Sequence, residues 1–168
     1  MPHLEVIDND SESGILGPFA SGGLSIRGKI VSPKRPGSNT EAIQEGYNLE
    51  LITGRPAAPH FHSWTHYSWQ SQEMWPDLYV QIHPTTAENL GVKDGALVSI
   101  ESRHGSIHAR AWLYKGMRPT SVFIPIGWGE RQPFSKWNSV NFLTDKTQRD
   151  PISEQTNLKS LLCRVKPI

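Results

Sequence analysis

The chain has 168 residues, 36% of them hydrophobic, and a formal net charge of +1. This length suits one domain, and the near-neutral charge, with no basic stripe, excludes an electrostatic case for nucleic-acid binding. The single cysteine, Cys163, rules out a disulfide framework or a thiolate metal cluster within this chain. No apolar run approaches the roughly 18 residues of a membrane span.

The polar residues 1–46 are interrupted by Gly and Pro, which indicates an N-terminal arm and a lead-in segment with one short strand over 25–32. The acidic start of the chain shows no secretory signal. We therefore expect a cytoplasmic location, or transport to the periplasm together with a partner.

From Tyr47 onward, short apolar stretches alternate with turn residues. Strands are predicted over 47–54, 78–82, 96–102, 106–114, 121–128 and 160–167, with a short helix over 85–90. Short strands at this spacing with little helix are typical of a closed or nearly closed β-barrel. The sequence thus predicts a mainly β domain over residues 47–168.

The segment 82–98 carries a specific order of turn residues. A short helix ends at Gly91, which suits the left-handed cap conformation, and Asp94-Gly95 forms a tight turn into the next strand. This unit resembles the helix-containing segment of a double-psi β-barrel, the aspartate-decarboxylase-like fold. Alone it predicts a fold and no function.

The flanking motifs narrow the assignment. In chain order they are LITGR at 51–55, HFHS at 60–63, IPIGW at 124–128, NFLT at 141–144, DPIS at 150–153 and Leu158-Lys159. Their order and spacing resemble the C-terminal molybdopterin-dinucleotide-binding domain of the molybdenum and tungsten bis-pterin oxidoreductases, which include formate dehydrogenases, periplasmic nitrate reductases and polysulfide reductases. The resemblance covers residues 47–166 and implies a double-psi barrel that binds molybdopterin guanine dinucleotide.

Thr53-Gly54-Arg55 at the end of a strand can bind a diphosphate. Thr53 offers a hydroxyl, Gly54 permits close approach of the backbone, and Arg55 offers a bidentate guanidinium. The alternative is a plain turn with a surface arginine.

The histidines after this turn allow two interpretations. His60 and His62 lie on one side of an extended segment and, with His66, form a candidate zinc or copper site that lacks a fourth ligand. The resemblance implies instead that His62, Ser63 and Thr65, with His60 beside them, contact the pterin or a phosphate. No metal ligand and no catalytic residue are predicted.

Three later residues complete the predicted cofactor site. The Asn141 amide can donate and accept at a pterin edge, Asp150 can accept from guanine N–H groups, and Lys159 can approach a phosphate. The alternatives are that Asn141 and Asp150 only form turns and that Lys159 is a solvated surface residue. Trp128 and Trp137 are expected to stack on rings or to line a partner interface.

The resemblance implies a partner. Large subunits of this family carry a long preceding region that binds one pterin and supplies the metal ligand, and many carry an iron–sulfur cluster. We therefore expect a subunit or domain that completes the cofactor site of a larger catalytic chain, with no oxygen-atom or hydride transfer when alone. Two alternatives on the same fold are a non-enzymatic peptide- or partner-binding barrel and a pyruvoyl decarboxylase cleaved at Gly105-Ser106 or Gly37-Ser38.

Overall fold

A computed structural model describes residues 43, 45–56, 65–129, 136–145, 147, 154–156, 158–159 and 161–168. The predicted strand over 25–32 lies outside the described residues, as does Gly37-Ser38. The division of the chain at residues 46 and 47 therefore stays a prediction.

The described elements follow the predicted order closely. In chain order they are β1 (Leu49–Gly54), a 3-10 helix (Thr65–Tyr67), α1 (Trp69–Met74), β2 (Tyr79–Ile82), α2 (Pro84–Leu90), β3 (Leu97–Glu101), β4 (Ser106–Leu113), β5 (Ser121–Pro125), a second 3-10 helix (Val140–Leu143) and β6 (Leu161–Pro167). No helix in this part of the chain is long and apolar enough to cross a membrane.

The six strands close into a barrel in the order β1-β5-β2-β4-β3-β6. Two neighbouring pairs are parallel, β1 with β5 and β2 with β4, and the other four are antiparallel. The mainly β closed barrel is thereby confirmed. The two parallel pairs are consistent with the double-psi connection, which stays a prediction.

Alternating burial explains why these segments form strands. In β4 the side chains of Ile107, Ala109 and Ala111 are buried and those between them are exposed. A period of two places one apolar face inside the barrel and one polar face outside. The same alternation buries Leu49, Leu51 and Thr53 in β1.

The helix that follows β2 is fixed by residues at both of its ends. His83 Nδ1 accepts a hydrogen bond from Thr85 N at 3.2 Å, and Pro84 occupies the first helical turn, where its missing N–H costs nothing. Gly91 ends the helix at φ 68°. Asp94 Oδ1 then accepts from Leu113 N at 2.8 Å, so the predicted cap and turn are confirmed.

Two local predictions differ from the structure. Strand β5 ends at Pro125 rather than at residue 128, because the chain turns at Gly127 with φ 122°. Helix α1 was not predicted, because Ser71 is its buried residue and it carries no apolar stripe. Its start is set by Ser68, whose Oγ accepts from Ser71 N at 3.3 Å.

The strand register defines one end of the barrel, here called the upper rim. Strands β1, β3 and β5 end at this rim, and β2, β4 and β6 begin there, because Glu101 pairs with Arg164 and Leu51 with Leu161. The segments that follow β1 and β5 and that precede β6 therefore meet at the same end.

Candidate functional site

Thr53, at the end of β1, is hydrogen-bonded to the segment that precedes β6. Its N and Oγ1 both donate to Leu158 O, at 3.0 and 2.6 Å, and the residue is 1% exposed. The hydroxyl is therefore engaged inside the domain. These two hydrogen bonds place Lys159, which is exposed, beside the predicted Thr53-Gly54-Arg55 turn.

Gly54 lies where two parallel strands end together. Its carbonyl accepts from Ile126 N at 2.8 Å, and a Cβ on Gly54 would lie 3.2 Å from Phe123 Cε2. A glycine here thus lets the Phe123 ring pack against β1. Arg55 follows as the first residue beyond the strand, and it is exposed.

Gly127 and His66 form a close contact at the upper rim. Gly127 has φ 122°, and a Cβ there would overlap His66 Nε2 and lie 2.9 Å from Cδ2. His66 is 3% exposed and meets the Trp128 ring edge-on at 4.1 Å. Its carbonyl accepts from Gln72 Nε2 at 2.8 Å. No pattern in the sequence indicates this contact beyond the glycine itself.

His66 was also the third member of the alternative metal site. The residues that the structure describes contain no group of three His, Cys, Asp or Glu side chains placed to hold a metal ion, and His60 and His62 lie outside them. Cys163 is buried in β6, and burial raises the pKa of its thiol to about 12. It therefore stays a protonated core side chain.

Trp128 and Trp137 were expected on a ligand or at an interface, and the structure corrects this expectation. Each is only 5% exposed. Trp128 packs against His66 and Tyr79, and Trp137 Nε1 donates to Asp77 Oδ1 at 3.2 Å. Both indoles therefore belong to the core of the domain. Burial of Tyr79 raises the pKa of its phenol.

Asn141 lies in the second 3-10 helix, and its main chain is fully engaged. Its N donates to Ser139 Oγ at 3.3 Å, and its O accepts from Thr144 N and Oγ1. The residue is exposed, and its side-chain amide forms no hydrogen bond with any residue of the described part. That amide is available to an external group.

The turn between β3 and β4 carries the second 3-10 helix on the upper rim. Ser102 Oγ donates to Leu143 O at 2.9 Å, and a Cβ on Gly105 would lie 2.5 Å from Phe142 O. Gly105 is thus required by packing, which accounts for the Gly105-Ser106 pair without any self-cleavage. The turn places Asn141 on the same rim as Arg55, on the opposite side of the barrel.

The structure thus brings some of the predicted residues to one end of the barrel. Thr53, Gly54, Arg55 and Lys159 lie on the β1 side and Asn141 on the β3–β4 side. Thr65 begins the 3-10 helix that carries His66. His60, His62, Ser63 and Asp150 lie outside the described residues.

Comparison with known proteins connects this domain to a family. The family model described as "Molydopterin dinucleotide binding domain" matches residues 49–162. The assimilatory nitrate reductase catalytic subunit of Bacillus subtilis is 32% identical over 139 residues, which is 82% of this chain and 19% of that protein. Dopamine dehydroxylase of Eggerthella lenta is 32% identical over 143 residues, 80% of this chain and 14% of that protein.

A solved structure shows the same fold. Acetylene hydratase from Pelobacter acetylenicus aligns with a TM-score of 0.70 and 20% identity over 83% of this chain and 21% of that chain. The chain spans only about a fifth or less of the lengths of these proteins. Their names describe different activities, so what they share with this chain is the domain. Because the family model matches well over half of its residues, the chain belongs to the molybdopterin-dinucleotide-binding domain family.

Proposed function

We propose that the upper rim binds the dinucleotide part of molybdopterin guanine dinucleotide within a molybdenum or tungsten oxidoreductase. The observation that carries this proposal is the strand register, which brings Arg55, Lys159 and Asn141 to one end of a barrel of this family. Three polar side chains spread over one end of the barrel suit a ligand that is itself elongated and polar.

The chemistry of these side chains fits the cofactor. A dinucleotide presents two phosphates, and the exposed guanidinium of Arg55 and ammonium of Lys159 can neutralise them. Each charge-assisted hydrogen bond contributes about 1.5–3 kcal/mol. The unengaged Asn141 amide can donate to and accept from a pterin edge at once.

Further predicted contacts complete the proposal. Gly54 keeps the backbone at the end of β1 free of a side chain, and Thr53 holds Lys159 through Leu158. We assign His60, His62, Ser63 and Thr65 to the pterin or a phosphate, and Asp150 to the guanine. The role of Thr53 in this scheme is indirect, because its hydroxyl is already bonded within the domain.

The rest of the enzyme must come from a larger catalytic chain or region. When bound, the cofactor supplies oxygen-atom or hydride transfer coupled to electron transfer, while residues of this domain bind and orient it. We propose a partner that carries the metal ligand and, as in many members of this family, an iron–sulfur cluster. The roughly five-fold or greater length of the relatives supports this. We also propose that the protein is located in the cytoplasm, or in the periplasm after transport together with its partner.

The test of the site is Arg55→Ala. Loss of its charge-assisted bonds should weaken binding of the isolated dinucleotide by about 2 kcal/mol, or roughly 30-fold. Arg118→Ala is the matched control, since Arg118 is also exposed but precedes β5 at the opposite end of the barrel. Equal affinities of the two variants, measured by equilibrium titration, would place Arg55 outside the site.

The need for a larger catalytic chain is tested by measuring redox activity. The 168-residue chain, purified from cells that make the cofactor, should show no dye-linked turnover, because a single barrel covers only part of the ligand and supplies no predicted metal ligand. Metal content and dye reduction are assayed with and without the larger chain. Stoichiometric molybdenum or tungsten with turnover in the isolated chain contradicts the proposal.

A further inference from the structure

Four side chains meet on the outside of the barrel wall, beside the segment that leads to Asn141. Asp77 Oδ1 accepts from Trp137 Nε1 at 3.2 Å and lies 3.5 Å from Lys136 Nζ. Asp77 Oδ2 lies 3.6 Å from Arg110 Nε. These residues, here called the Asp77 cluster, join the start of β2, the middle of β4 and the beginning of the 136–145 segment.

The Asp77 cluster fixes one end of the 136–145 segment, and the β3–β4 turn fixes the other. Ser102 Oγ donates to Leu143 O at 2.9 Å, and His104 Nε2 lies 3.9 Å from Asp145 Oδ2. Asn141 lies between these two attachments. Its own short 3-10 helix has a single turn, which cannot fix its orientation without tertiary support.

We propose that Asp77 is a positioning residue for the Asn141 amide and acts through Trp137. The proposal rests on the role of Asn141 in the proposed function. Trp137 is 5% exposed, and a buried indole N–H that loses its acceptor incurs a desolvation cost. The Asp77 carboxylate thus holds the indole in place, and the indole holds the chain that leads into the 3-10 helix.

The charges of the cluster contribute less than this hydrogen bond. Lys136 and Arg110 side chains are 69% and 44% exposed, so their pairs with Asp77 are screened by water. An open cleft of about 300 Å³ adjoins them, lined by Leu97, His108, Arg110, Lys136, Trp137 and Asn138. Because both cations already share the Asp77 carboxylate, this cluster acts as an attachment of the segment rather than as an anion site.

A double-mutant cycle tests the coupling. Dinucleotide affinity is measured for the unmodified chain, Asp77→Ala, Asn141→Ala and the double variant, with global unfolding followed in parallel. Each single change should lower the affinity about tenfold, the effect of one hydrogen bond. The double variant should bind no more weakly than Asn141→Ala, because Asp77 acts on the ligand only through Asn141.

Conservative variants separate the hydrogen bond from the charge. Asp77→Asn retains an acceptor oxygen and should keep near-normal affinity, whereas Trp137→Phe removes the donor, retains a ring and should repeat the tenfold loss. Asp94→Ala is the control, because the Asp94 carboxylate also accepts a hydrogen bond, from the main-chain N–H of Leu113, but does so at the opposite end of the barrel. It should leave the affinity unchanged.

The outcomes distinguish the two hypotheses. Normal affinity of Asn141→Ala removes Asn141 from the proposed site and overturns the inference with it. Reduced affinity of Asn141→Ala with normal affinity of Asp77→Ala and Trp137→Phe overturns the inference alone. Additive losses in the double variant show that Asp77 acts by another route and also overturn it. If Asp77→Ala does not fold, the comparison of Asp77→Asn with Trp137→Phe decides the question.

Discussion

The wall of the barrel and its upper rim are held together by different forces. The wall consists of strands whose inward side chains, such as Leu51, Ile100 and Ile124, are completely buried and apolar. The rim adds to its buried side chains single hydrogen bonds from side chains to distant main-chain atoms, from Thr53 to Leu158 and from Ser102 to Leu143. Apolar burial is non-directional, whereas each rim bond requires one donor at one position.

This difference separates stability from site geometry. Loss of a wall side chain should reduce the free energy of unfolding without moving the rim of the molecules that remain folded. Loss of a rim bond should have a smaller effect on unfolding but should displace a residue of the proposed site. Substitutions in the two regions should reveal that separation, and they are ordered below from the largest expected effect to the smallest.

Leu51→Ala should have the largest effect. The side chain is 0% exposed, and a Leu-to-Ala change in a core reduces the free energy of unfolding by about 2–5 kcal/mol. Urea unfolding measures it, and Ile168→Ala, at a residue 68% exposed, should change stability by less than about 0.5 kcal/mol. Similar costs for the two variants would contradict an apolar wall as the source of stability.

Gly127→Ala should come next, at on the order of 2–3 kcal/mol, because φ 122° is strained for alanine and the new Cβ overlaps the His66 ring. Gly91→Ala is the control: its φ is 68° and no atom lies within 4 Å of the position that a Cβ would take, so it should cost only about 1 kcal/mol. Thermal or urea unfolding distinguishes them. An equal cost for both would show that the contact with His66 is unimportant.

Thr53→Val should reduce the free energy of unfolding by about 1 kcal/mol. The change preserves shape and removes the Oγ1 bond to Leu158 O, while the main-chain bond from Thr53 N remains. Because Lys159 follows Leu158, dinucleotide affinity should also fall. Thr53→Ser retains the hydroxyl and should restore most of the affinity. Normal dinucleotide affinity of Thr53→Val would show that this hydrogen bond does not position Lys159 for binding.

The smallest effect should come from Glu101 and should depend on pH. Hydrogen bonds from Lys166 and Arg164 lower the pKa of Glu101 in the folded protein. Its contribution is therefore present above the unfolded pKa of about 4.3 and is lost as the pH falls through the folded pKa. Solvent contact of the partners limits it to less than about 1 kcal/mol.

Urea unfolding between about pH 3 and 7 checks this sign. Glu101→Gln should be less stable than the unmodified chain at neutral pH and should approach it in acid, since the carboxyl is then protonated in both states. If the difference in unfolding free energy between the two proteins stays constant across this range, the ion pairs of Glu101 do not contribute to the loss of stability in acid.

The local elements and the family could be predicted from the order of residues alone. Short apolar stretches between turn residues predicted all six strands of the barrel, and Gly91 with Asp94-Gly95 predicted how α2 ends and β3 begins. These features depend on neighbours two to four residues away, so a linear pattern contains them. The order of short motifs from residue 51 to residue 159 was sufficient to indicate the family that the comparison then showed.

What holds the rim in place became visible only in the folded chain. Folding buried Trp128 and Trp137 in the domain, engaged the Thr53 hydroxyl and pressed Gly127 against His66. It also joined Asp77 to Trp137 across 60 residues of sequence and Thr53 to Leu158 across 105. Such pairs follow no sequence period. They are close because of the order in which the strands close the barrel, and because a buried polar group requires a hydrogen-bond partner.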